Sequence, residues 1–527
     1  MATQNKVPYD KVEFNGQLYA VRFLLGNTNG GIEVHHDRIQ HLIINEDLNS
    51  IFPTAKLILD NTGNVLDQTP KVNFKNLSSK KLWTYAFNTD NRDMFIVDIF
   101  PTTEDFFKSG NKEVFPDDVH RIFYEFVVYD EEEVPGDTRN GKYKIFYLRD
   151  AREQILTESK VQWSSYEAFS IVSETSAYNM NYSSSSNVDR SPYTGEAIKH
   201  FITKAFSSPG GDIISSKFDD WDKGSTKVFY STSPNHSAYD SLEYLLDRHV
   251  SNSDQDNCIL GVERTSMGAG HWFLRPLSKF FAKAVENGKI GEYTNDLFHV
   301  HSGGSPALFM PTSSENAEAG NNIPAKGYAQ ITRSSIVQQF NGMENFTFLN
   351  APNGVGLDEL VSTVTHGYNS SEHQFELDCS KTHVDEIRKK FKNLYVDNFN
   401  ITGKPEAIFP TTEEKTTNRL INHVYSEGST PSDRIKYGVN RVLSKALAYT
   451  PGIDFSTDGW PYRHPGRFMI LLDSTIQPES SFEKIFSGEW FITRVVHSFS
   501  FAQKPTSYTQ QIACIKPHSY AKLVSEE

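Results

Sequence analysis

Cysteine is scarce in this chain of 527 residues: three in all, Cys258, Cys379 and Cys514, far apart and with no CxxC among them. That excludes a disulfide framework and a zinc ribbon, and it fits folding in a reducing compartment. Long hydrophobic runs are missing too. No stretch approaches the roughly 18–20 apolar residues of a membrane span, and Met1 to Lys6 lacks the apolar centre of a signal peptide. The expectation is a protein made in the cytoplasm, with no membrane partner. Positive charge is in deficit, with 52 Lys and Arg against 66 Asp and Glu, a net charge of −14. Non-specific nucleic-acid binding needs basic side chains to neutralise phosphates, so that class is disfavoured. An acidic surface instead repels DNA.

Catalytic signatures are also absent. The sequence has no GxSxG, HExxH, P-loop or strand-turn-helix GxGxxG. His35, His36 and His41 cluster, but no neighbouring residue in sequence completes a ligand set, and metal sites need three or four arranged ligands. Asp130 and Glu131–Glu133 form a carboxylate run that reads as a solvated loop, since an acid–base pair needs unlike environments. His497 lies on a strand with Glu489 nearby in sequence and no identifiable nucleophile. Two carboxylates at a fixed separation would suffice for glycoside hydrolysis, but nothing singles out a pair. The expectations are no catalytic residues, no cofactor and no metal.

What is present is β-rich and aromatic, with 37 Phe and 24 Tyr. Alternating or β-branched runs predict strands at Ala55–Asp60, Met94–Phe100, Arg121–Asp130 and Lys142–Asp150, with a hairpin loop over Glu131–Gly141. Phe123, Tyr124, Phe126 and Tyr129 could stack bases, but without a basic groove they read as core and interface. From about Gln154 the pattern turns mixed. Thr194 caps a predicted helix carrying Ala197, Ile198, Phe201, Ile202 and Ala205. A second helix runs from Ala238 to His249, capped by Ser237 or Asn235, with Leu242, Leu245 and Leu246 on one face. Strands Asn257–Arg264 and His271–Arg275 follow, around a turn at Met267–Gly270. Ser302–Pro324 reads as an exposed linker and Ser183–Ser186 as a surface loop. Strands return at Phe346–Phe348, Gln374–Asp378 and Asn398–Ile401. A helix is predicted over Ser432–Ala448, then strands Arg467–Asp473, Glu489–His497 and Ser507–Lys516.

The segment from His236 to Leu277, an amphipathic helix before a hairpin ending Trp272-Phe273-Leu274-Arg275-Pro276-Leu277, resembles the inserted domain of phage baseplate hub proteins. The C-terminal segment resembles the same family, which includes late-control proteins. It has the turn His464-Pro465-Gly466, the hairpin Gly488, Trp490, Ile492, Val495, His497, and a closing strand from Tyr508. The helix ending the stretch Tyr166 to Phe206 fits the family's other inserted helix. The resemblance runs from about Val119 to the C-terminus; the Glu131–Gly141 loop and the Ser302–Pro324 linker have no counterpart in it.

The resemblance implies an α+β, mainly β fold: two tail-tube-like β-barrels flanking an inserted α+β domain. The divisions would be 1–155 for the first barrel, 156–300 for the insertion, 301–330 for the linker and 331–527 for the second barrel. It implies a structural hub in the virion tail baseplate, assembled in the host cytoplasm. Three subunits with two barrels each would form a pseudo-sixfold ring between the hexameric tail tube and the trimeric central spike. The implied partners are a second and third copy of the chain, the tail tube protein, the spike, the tape measure protein and the surrounding wedge proteins, with DNA only passing through the lumen. Two other readings are a tail-associated cell-wall or capsule hydrolase and a receptor-binding tail protein, though the chain lacks the repeats usual in fibres. Residues expected to carry structure or interfaces are Leu242, Leu245, Leu246, Trp272, Arg275, Pro465, Gly466, Trp490, Ile492, Val495 and His497.

Overall fold

The computed structural model describes residues 9–27, 30–62, 93–108, 121–136, 141–160, 193–206, 216–224, 236–246, 249, 251–252, 258–264, 269–276 and 280. It also describes the strands named below between 293 and 420, and residues 452–461, 463–473, 488–502 and 504–515. The described chain is mainly β, with few helices.

The first strands alternate apolar and polar residues and build one antiparallel sheet. They are β1 (Asp10–Phe14), β2 (Gln17–Asn27), β3 (Gly30–Glu33), β4 (Ile39–Asp47), β5 (Thr54–Asp60), β6 (Met94–Pro101), β7 (Ile122–Pro135) and β8 (Lys142–Asp150). The order across the sheet is β1-β2-β6-β7-β8-β5-β4, with β3 folded back on β2. Asn15-Gly16 turns the β1–β2 hairpin with positive φ at both residues, 49° and 75°, the backbone that a two-residue hairpin turn demands and that Asn-Gly adopts at least cost. Every residue of β6 is buried, because both faces of the sheet are covered. Phe95 and Val97 point into an interior shared with Phe23, Phe126 and Tyr508. Met94 and Ile96 face the other way, onto the inserted region.

That inserted region contains α2 (Ala151–Glu158), α3 (Thr194–Ala205) and α4 (Ala238–Leu246), after a short α1 (Glu104–Lys108) in the first sheet. A three-stranded sheet of order β10-β11-β9 accompanies them, from β9 (Lys217–Trp221), β10 (Cys258–Val262) and β11 (His271–Pro276). Leu242, Leu245 and Trp272 are fully buried against Ile198, Phe201, Ile155 and Phe52. Leu246 is half-buried at the margin of the same cluster. Full burial of each large apolar side chain stabilises by about 1.5–3 kcal/mol. Ser237 caps α4 reciprocally: its hydroxyl accepts the Asp240 N–H at 3.0 Å, and Asp240 accepts the Ser237 N–H at 2.9 Å.

The later strands are β12 (Tyr293–Ser302), β13 (Gln330–Arg333), β14 (Glu344–Leu349), β15 (Thr363–Asn369), β16 (Gln374–Asp378), β17 (Arg419–Leu420), β18 (Gly452–Asp458), β19 (Phe468–Asp473), β20 (Gly488–Ser500) and β21 (Ser507–Ile515). β15, β16 and β17 stand apart as a small sheet; the rest join the first sheet through β20. The first part of β20 pairs with β19, from Gly488 to Phe491. From Arg494 to Ser500 it pairs instead with β4. β21 lies along its other edge from Phe491 to Ser500, with a register shift between Ile492 and Arg494. The bulge therefore sits where β20 changes partner. The first sheet curls until β1 approaches β21: Phe14 packs on Tyr508, and the Asn15 amide donates to the Tyr508 carbonyl at 2.7 Å.

Several expectations need correction. The acidic run is not loop: β7 continues to Pro135, and Glu131 and Glu133 pair across the ribbon with Lys144 and Lys142 at 3.0 and 2.7 Å. The backbone ladder with β8 runs on to Pro135, beyond the apolar part, with opposite charges across the two strands. Helix α3 is capped from Tyr193 rather than Thr194, with Glu196 accepting the Tyr193 N–H. α4 stops at Leu246, short of His249. The linker Ser302–Pro324, the serine run, the strand Asn398–Ile401, the helix Ser432–Ala448 and Cys379 lie outside the described residues, Ser302 itself excepted, which ends β12.

Candidate functional site

The expected site residues divide into two groups. Leu242, Leu245, Leu246 and Trp272 hold the inserted helices together. Arg275, Pro465 and Gly466 instead line a cavity of about 410 Å³ between the inserted region and the sheet, whose wall also includes Glu46, Arg264, Phe280, His464 and Arg467. Trp490, Ile492, Val495 and His497 stand behind that wall on β20, all fully buried. The spacing of that motif has a structural cause. Trp490 and Ile492 share one parity and Val495 and His497 the other, and the bulge between them restores all four to the buried side. Without a bulge, side chains five residues apart on a strand would face opposite ways.

Pro465 and Gly466 form the turn before β19. Gly466 has φ +92°, in the left-handed region where a side chain is strained. Its N–H donates to the Ile492 carbonyl at 2.9 Å, and the Ile492 N–H donates to Arg467 O at 2.8 Å, which fastens the turn to the bulge. Arg275 donates to Asp220 at 2.7 Å and lies over the rings of Phe273 and Phe280.

Behind the cavity lies a buried polar knot that sequence reading did not find. Glu46 of β4 accepts from Arg264 at 3.0 Å and from the Tyr124 hydroxyl. His497 of β20 lies 3.4 Å from the same carboxylate. The other ring nitrogen of His497, Nδ1, meets the Tyr508 hydroxyl at 2.7 Å and the Gln510 amide at 3.1 Å. His497 Nε2 also lies 3.4 Å from the Arg264 guanidinium, so the ring sits between the two members of the Glu46–Arg264 pair. Gln510 is fixed by exchanging hydrogen bonds with the Trp460 backbone and by Arg463. Arg264 also donates to the Pro461 carbonyl. One guanidinium at the end of β10 thus joins the inserted region to β4, to β20 and to the segment before β19.

The charges are set by this packing. Burial alone would raise the Glu46 carboxyl, but Arg264 and His497 more than offset it and hold it at about 2. Burial keeps His497 neutral, its pKa pushed down despite Glu46. His464 is pulled down to about 3 by burial and by the adjacent Arg467 and Arg264. Its Nδ1–H donates to the Pro465 carbonyl at 2.8 Å, and Nε2 accepts from Arg467, which requires the neutral ring. Arg264, Tyr124 and His497 gather around one oxygen of Glu46, and His497 is fully buried. The chemistry this arrangement performs is charge pairing in a buried seam, where separating the partners is costly.

A carboxylate does join His35 and His36 from outside their own segment: Asp10 lies 2.9 Å from His36 Nδ1 and 3.6 Å from His35 Nε2. His41 is on β4 and takes no part in that group. The carboxylate beside His497 is Glu46 of β4. Phe123, Tyr124 and Phe126 are core, whereas Tyr129 is 50% exposed.

No family model matches the chain, and no curated protein matches it. Among solved structures it is similar to the tail protein from Neisseria meningitidis MC58, at a TM-score of 0.42 and 8% identity, covering 96% of this chain and 98% of that one. It is similar to the 43 kDa tail protein of prophage MuSo2 from Shewanella oneidensis, at a TM-score of 0.43 and 9% identity, covering 95% and 99%. A chain of the half-lidded Francisella PdpA-VgrG complex matches at a TM-score of 0.38 and 7% identity, with 95% of this chain covering 58% of that one. The solved structures similar to this chain thus include tail proteins and chains of PdpA-VgrG complexes.

Proposed function

We propose that this chain is the structural hub of a contractile-tail baseplate, a non-enzymatic protein that trimerises into a pseudo-sixfold ring between tail tube and central spike. The observation that carries the reading is the double pairing of β20. One strand is hydrogen-bonded to β19 and then to β4, so two β layers from opposite ends of the chain form one rigid edge-to-edge unit. A hub that adapts threefold to sixfold symmetry needs two such layers locked together in each subunit. The divisions 1–155, 156–300, 301–330 and 331–527 follow on this reading. The insertion wedges against the seam, and the acidic chain supplies a lumen wall that lets the tape measure protein and DNA pass. Tube, spike and wedge proteins are its partners in the virion.

The mass of the purified chain in solution, by light scattering after gel filtration, tests the assembly. The reading expects about three times 59.8 kDa, alone or once the spike protein is added. A chain that stays monomeric with tube and spike proteins present contradicts it. A clearing band on host cell wall in a zymogram would replace it with the hydrolase reading.

A further inference from the structure

A second buried cluster lies in the inserted region, away from the seam. Asp222 follows β9, His249 follows α4 and Cys258 opens β10. All three residues are buried, and one ligand atom from each lies within 4.8 Å of the other two. Asp222 Oδ1 and His249 Nε2 are 3.4 Å apart. Two donors about 2.0 Å from a tetrahedral ion stand roughly 3.3 Å apart, so the pair is spaced as ligands are.

The surroundings hold these groups in place. The Thr194 hydroxyl meets His249 Nδ1 at 2.8 Å. With the proton on Nδ1, the Nε2 lone pair faces Asp222 and Cys258. Orientation of one ring nitrogen by an outer partner is the usual device at metal-binding histidines. The Asp222 carboxylate accepts the N–H groups of Gly224 at 2.7 Å and Asn252 at 3.1 Å. Gly224 has φ +86°, and a Cβ there would fall 2.5 Å from the Thr194 hydroxyl and 3.0 Å from the His249 ring. A glycine is needed to seat both groups. A plain Asp222–His249 ion pair would account for two of the three residues, whereas the Cys258 thiol also lies within 4.8 Å of both.

The geometry points to a structural site for one divalent transition-metal ion of the zinc class, held by the Asp222 carboxylate, His249 Nε2 and the Cys258 thiolate. A thiolate beside an imidazole selects zinc or cobalt over magnesium or calcium. Binding releases the Cys258 thiol proton to solvent, so affinity falls with pH. The ion would clamp the ends of β9, α4 and β10.

Cobalt(II) added to the full-length chain is the test. One equivalent per chain should give a thiolate-to-cobalt charge-transfer band in the near ultraviolet. The band should vanish in Cys258→Ser and persist in Cys514→Ser, whose thiol is buried in β21. The wild-type spectrum needs no variant: a folded chain in excess cobalt that shows no such band overturns the site. A band that survives Cys258→Ser overturns it as well. Zinc should raise the melting temperature of the wild type by several degrees, and this shift should be lost in Cys258→Ala. Failure here leaves the hub reading untouched, since the seam on which that reading rests uses none of these residues.

Discussion

The seam depends on a few charges whose partners lie far apart in sequence. Glu46→Gln keeps the shape of the side chain but leaves Arg264 as a buried charge without its counter-ion. Removal of one partner of a buried pair costs about 3–5 kcal/mol, and the loss should appear as a lower midpoint in urea denaturation. The pH profile should separate two contributions. Glu46 has a depressed carboxyl, about 2 against 4.5, so its stabilisation is complete above pH 4.5 and is lost as pH falls toward 2. His464 is held neutral, about 3 against 6.5. The unfolded chain takes up that proton first, so stability declines as pH falls from 6.5 toward 3. The slope from this one ring is at most about 1.4 kcal/mol per pH unit, softened by its partial exposure to the cavity. His464→Gln should flatten the melting-temperature profile between pH 6.5 and 4.5, leaving the steeper acid limb. None of this was legible in the sequence. Glu46 looks like any strand glutamate, and Arg264 bonds a histidine 233 positions away.

Secondary structure was far more legible. The strands from β5 to β8, β10, β11 and β19 to β21 follow runs whose alternation or β-branching is plain, and Ser237 caps α4 as its position before the apolar stripe requires. The motif from Gly488 to His497 even contains its bulge, as a change of parity between Ile492 and Val495, although the change of partner strand cannot be read there. The acidic ribbon misled because Glu131–Glu133 lack any apolar alternation; the backbone ladder to β8 carries them, with lysines across the strand. Replacing all three glutamates with glutamine should leave the melting temperature unchanged, since exposed ion pairs contribute little. Leu245 is the opposite case. Leu245→Asp would bury an unpaired charge among Trp272, Phe201 and Leu242, costing several kcal/mol. A soluble variant that melts like the wild type would contradict the packing of α4. The proposed metal ligands escaped sequence reading because they sit at the ends of three separate elements with no motif spacing.

At the scale of the whole molecule, the first and last parts of the chain form one sheet, and the inserted region covers its outer face and plugs the seam with Arg264. The two parts are joined where β20 pairs with β4, so completion of the joined sheet waits for β20 to reach β4. The central claim is that three such units close into a ring. Negative-stain electron microscopy of the purified chain, alone and with the tube and spike proteins added, tests it most directly. The account predicts threefold particles with a central hole and six similar lobes around it. Compact particles without a hole, unchanged by either partner, would contradict it.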